Sequence, residues 1–70
     1  MNSPASKLLS TRSTKNLIQD LIATKYVHNK HIYTVRGWIL DELKSRNPEG
    51  YDRWLESDAI DEELEKYLLG

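Results

Sequence analysis

The chain has 70 residues, a net charge of −1 and no cysteine. One domain is all that length allows, and a core this small is marginal without good helix packing or self-association. Lack of cysteine excludes disulfides, thiolate chemistry and cysteine-containing zinc sites, and it suits a reducing, cytoplasmic setting. No apolar run approaches the ~20 residues that would span a bilayer.

The charge is unevenly placed. Residues 1–46 carry eight bases and three acids, and residues 47–70 carry two bases and eight acids. Such a division points to a charged partner, or to the two halves attracting each other.

In chain order, residues 1–12 hold Pro4, scattered serines and threonines, and Leu8 and Leu9 as their apolar content. They read as a flexible, disordered arm, with residues 13–70 as one helical domain. Ser13 or Thr14 is positioned to cap a first helix, whose apolar face is Leu17, Ile18, Leu21, Ile22 and then Tyr26, ending near Val27. His28-Asn29-Lys30 reads as a turn.

The segment 31–46 is the longest amphipathic stretch. Ile32, Val35, Ile39 and Leu43 recur at steps of three and four, and Tyr33, Gly37, Leu40 and Lys44 form a second line. A central helix touched by several neighbours fits that pattern, with Gly37 admitting one of them closely. Ile32, Tyr33, Thr34 and Val35 also favour a strand locally, which leaves a short strand at 31–36 as the rival.

Asn47-Pro48-Glu49 is the clearest punctuation. Proline fits the first position of a helix and Asn47 its cap. Tyr51, Trp54 and Leu55 would be the inner face of this third helix. Ser57 or Asp58 would cap a fourth, with Asp61, Glu62 and Glu63 at its positive end and Ile60, Leu64, Tyr67 and Leu68 inward. The expected fold is all-α: a small bundle of three to four short helices. Its core would be Leu17, Ile18, Leu21, Ile22, Ile32, Val35, Ile39, Leu40, Leu43, Trp54, Leu55, Ile60, Leu64 and Leu68.

Catalytic chemistry finds little footing. There is no glycine-rich phosphate loop, no His-Glu-x-x-His and no pair of acids in a pocket-forming context, so neither enzyme activity, a cofactor nor a small-molecule substrate is expected. His28 and His31 are too few for a metal. The acids at 58–65 read as a solvated helix face. What remains is recognition. Tyr33, Arg36, Gly37 and Trp38 could form one exposed patch of the residue types that dominate protein interfaces, for a protein partner or for a second copy in a homodimer. The alternative is a helix-turn-helix-like DNA-binding regulator, with Lys25, Lys30 and Arg36 on phosphates.

The block Val35-Arg36-Gly37-Trp38-Ile39-Leu40-Asp41-Glu42-Leu43, followed by Asn47-Pro48-Glu49 and Tyr51-x-x-Trp54, resembles short uncharacterised proteins carried by bacterial mobile elements. The resemblance covers roughly residues 15–68. It implies a bacterial cytoplasmic accessory protein and assigns no activity and no functional residue.

Overall fold

Ser13 caps the first long helix by accepting the N–H of Asn16 on its Oγ at 3.0 Å. That helix, which we call α2, runs Thr14–Ala23 and buries Leu17, Ile18 and Leu21. The computed structural model describes residues 6–70. Within them the elements in order are α1 (Ser6–Ser10), α2, α3 (Ile32–Arg46), α4 (Pro48–Glu56) and α5 (Leu64–Leu68), with 3-10 turns at Thr24–Tyr26 and Asp61–Glu63. The fold is all-α, with no strand among the described residues.

The helical path tightens at Thr24, and the change from 3.6 to 3.0 residues per turn swings Tyr26 off the α2 face. Tyr26 is therefore exposed rather than a continuation of that face. Asn29 then makes the expected turn. Its side-chain Oδ1 accepts the N–H of His31 at 2.9 Å, and its backbone carbonyl accepts that of Ile32 at 2.9 Å. This local bonding delivers the chain into α3 and not into a strand, so the strand preference of residues 31–36 is overridden. Ile39 and Leu43, one turn apart, bury on the same face of α3. α3 touches α1, α2 and α4, as a central helix should.

α4 opens as its sequence dictates. Asn47 Oδ1 accepts the N–H of Gly50 at 2.9 Å, and Pro48 takes the first helical position. Gly50 and Trp54, four apart, are the buried face of α4, and Tyr51 lies against Trp54 with ring centroids 5.7 Å apart. Leu55 sits about 100° round from Trp54 and turns out to solvent instead of joining the core.

The entry to α5 differs from expectation. Ser57 closes α4: its N–H bonds the carbonyls of Arg53 and Trp54, and its hydroxyl donates to Trp54 as well. Ala59 then adopts a positive φ of 52° and redirects the chain. Neither Ser57 nor Asp58 caps the final helical segment. Residue 60 is extended, its carbonyl takes the Trp54 indole N–H at 2.8 Å, and its isoleucine side chain is largely exposed.

The core is Leu17, Ile18, Leu21, Ile39, Leu43, Trp54, Leu64 and Leu68. Ile22, Val35 and Leu40 pack against it half-buried, and Ile32 is also half-buried. Leu9 packs against it too. Of the arm expected over residues 1–12, residues 1–5 lie outside the described residues, while residues 6–10 are helical and fasten to α3. The fastener is Arg46, whose Nη2 donates to the Leu9 carbonyl at 2.9 Å and whose Nη1 donates to Thr14 Oγ1 at 3.2 Å. No helix among the described residues is long and apolar enough to cross a membrane.

Candidate functional site

α3 separates two hollows, and residues of interest fall on both sides of it. One is a polar cleft of about 340 Å³ bordered by Lys25, Val27, His28, Tyr33, Arg36 and Asp61. The other is an apolar groove of about 310 Å³ between α1, α2 and α3, lined by Leu8, Leu9, Asp20, Thr24, Val35, Trp38 and Ile39.

An inward-facing charge junction dominates the polar cleft. The Arg36 guanidinium meets the Asp61 carboxylate with two hydrogen bonds, Nη1 to Oδ2 at 3.0 Å and Nη2 to Oδ1 at 3.1 Å. Nη1 also donates to Thr24 Oγ1 at 2.6 Å and to the Leu21 carbonyl at 3.3 Å. The paired geometry is the strong form of such a bond, and it ties the last segment of the chain to α2 and α3. Hydrogen bonding to Asp61 outweighs desolvation and raises the Arg36 pKa above its already high ordinary value. Beside it Lys25 pairs with Glu62. Their mutual hydrogen bond raises the lysine and lowers the glutamate, but both are at the surface, where such a pair adds little to stability.

Asp61 corrects one expectation directly. The sequence groups it with the acids of a solvated face, yet it is 7% exposed and both of its oxygens accept from Arg36. Arg36 corrects another. Its guanidinium is turned inward and committed to Asp61, so it is not a free contact group for protein or for phosphate.

The expected patch of Tyr33, Arg36, Gly37 and Trp38 is split by helix geometry. Trp38 lies about 140° round the helix from Tyr33. Tyr33 is 77% exposed at the polar cleft, whereas Trp38 is half-buried in the wall of the apolar groove. Gly37 lies between them with nothing within 4 Å of where a Cβ would stand, so no helix crosses there. The close approach belongs to Gly50, where a Cβ would meet the Tyr67 carbonyl at 2.4 Å. Of the basic trio, Lys25 and Arg36 border one cleft while Lys30 stands exposed in the turn outside it. His28 borders the polar cleft, and among the described residues no group of three or more potential ligands is placed to hold a metal.

The groove brings in residues that sequence reasoning placed elsewhere. By sequence Leu8 and Leu9 belong to the arm, and Val35 and Ile39 to the core. Asp20 is the ionisable residue in its lining, and Arg12 pairs with it at 2.8 Å. The available signal was Leu8-Leu9 itself, an apolar pair in an otherwise polar stretch. No protein-family model matches the chain, and no curated protein or solved structure matches it.

Proposed function

We propose that this chain is a non-enzymatic protein-interaction module that seats apolar side chains of a partner in the groove walled by Val35, Trp38 and Ile39. The observation that carries the reading is the groove's lining. α1 and α3 contribute large aliphatic and aromatic side chains to one open hollow, α2 adds the Asp20 carboxylate, and Leu8 on the rim is 72% exposed. An apolar concavity walled by a half-buried tryptophan has the composition of a docking site, and tryptophan is a favoured anchor there. Chemistry is not favoured there, because the groove's one carboxylate, Asp20, is already paired with Arg12. The reading carries a cytoplasmic location with it, which the cysteine-free sequence suits.

A duplex-DNA regulator has less support. Lys25 and Arg36 are neutralised by Glu62 and Asp61. The α2–α3 connection also occupies residues 24–31 with a 3-10 turn inside it, far longer than the three- to four-residue turn of a helix-turn-helix.

The test is a photo-reactive amino acid placed at Trp38 in the host cell, with the same group at exposed Leu55 as control. The expected result is a discrete covalent protein adduct from position 38 and none from position 55. Equal labelling from both positions, or no adduct at 38, would remove the reading. Retention of duplex DNA at low salt with a steep salt dependence would favour the regulator instead.

A further inference from the structure

The occupant of the groove can be described more closely, on the footing that the groove is a docking site. We infer that it takes an amphipathic partner helix bearing two adjacent leucines and a base one turn later, and that α1 holds that helix's place in the free chain. α1 shows the mode of binding. Leu9 packs on the core, Leu8 lines the groove, and Arg12, one turn after Leu8, reaches Asp20 at 2.8 Å. The charge match is specific, because Asp20 is the ionisable group in the lining. Arg46 completes the seat. Its Nη2 donates to the carbonyls of Leu9 and Ser10 at the end of α1, at 2.9 and 3.4 Å. Glu42, at 2.9 Å from Nε, holds the guanidinium in position.

α1 fills this seat incompletely. With five residues it is far too short to persist as a helix without the surface it lies on. It leaves Leu8 mostly in water and about 310 Å³ of apolar groove open beside it. A longer helix with the same Leu-Leu-x-x-Arg pattern would bury more and use the same Asp20 and Arg46. It must first displace α1, which lies over the seat as a tethered strap and lowers the apparent affinity by the fraction of chains in which that strap is open.

The probe is a fluorescently labelled peptide of residues 1–13 of this chain, which carries the pattern. Leu9→Asp in the full chain dislodges its own strap. The peptide is expected to bind that variant at least about ten-fold more tightly than the unmodified chain. Arg12→Glu in the peptide, which sets like charges against each other at Asp20, should weaken binding several-fold, and Asp20→Arg in the Leu9→Asp chain should restore it. Equal binding to both chains, or indifference to the charge swap in a variant shown to be folded by circular dichroism, would overturn the inference. Should Leu9→Asp fail to fold, hydrogen exchange on the unmodified chain decides. Amides of residues 8–12 are expected to exchange at least about a hundred-fold faster than those of residues 39–43, and equal rates would overturn the inference. Adducts from position 38 without peptide exchange would leave the docking site standing and remove the strap alone.

Discussion

Replacing Arg36 by methionine is expected to destabilise the fold by about 3 kcal/mol, read as a fall in the urea midpoint with an unchanged slope. The magnitude comes from what is left behind. Methionine keeps the aliphatic stem but removes every donor, so the Asp61 carboxylate, 8% exposed in its side chain, loses both of its hydrogen bonds to the guanidinium. An orphaned buried charge is far more costly than the net worth of the pair it came from. A domain of this size holds only a few kcal/mol in total, so the single substitution takes a large share of it. The companion change discriminates. Arg36→Met combined with Asp61→Leu removes both charges and should recover most of the loss, because apolar replacements of a buried pair are often neutral. Lys25→Met, which breaks the parallel but exposed pair to Glu62, should be barely measurable. Equal effects from Arg36→Met and Lys25→Met would mean that Asp61 is solvated after all.

Gly50→Ala should destabilise by about 2 kcal/mol or more, while Gly37→Ala should stabilise by about 0.5–1 kcal/mol. Both glycines lie inside helices, and in isolation alanine is the better helix former at each. Their surroundings decide the sign. At Gly50 an added methyl would stand 2.4 Å from the Tyr67 carbonyl oxygen and 2.8 Å from Asn47 Nδ2. The first is backbone and cannot rotate away, so α4 and α5 would have to separate. The second belongs to the cap of α4, which accepts the Gly50 N–H and donates to the Leu68 carbonyl at 3.4 Å. Gly37 meets nothing within 4 Å, so only the backbone entropy of the unfolded chain changes there. Urea denaturation of the two variants side by side checks the pair. A stabilising Gly50→Ala would show that α4 and α5 do not meet at that point.

These two glycines also show what could be read before any coordinates. Local chemistry was legible: Ser13 and Asn47 as caps, Pro48 as a first helical residue, Asn29 as a turn, and the three-and-four spacing that coils residues 32–46. Each depends on neighbours within a turn of the chain. The choice between Gly37 and Gly50 as the point of close approach depends on which helix crosses which, and nothing local encodes that. Arg36 and Asp61 are a similar case. They are 25 residues apart, and a single acid among eight in the last third of the chain has no mark of its own before folding. The spacing puts Leu55 on a face with Tyr51 and Trp54, and Ile60 on a face with Leu64, Tyr67 and Leu68, yet both are exposed. Their exposure follows from the short span of α4 and the turn at Ala59, which leave one face, Gly50 and Trp54, to point inward. Tyr33 and Trp38 were close in sequence, but five residues of helix set them on different sides.

The docking account rests on Trp38 standing at an open wall while Trp54 is sealed at 3% exposure. Acrylamide quenching of the unmodified chain, compared with Trp38→Phe, separates the two fluorophores most directly. The account predicts that the Trp38 component is the more red-shifted and the more readily quenched of the two, and that the emission remaining after Trp38→Phe is blue-shifted and protected. A monomeric chain in which Trp38 is as shielded as Trp54 would contradict it.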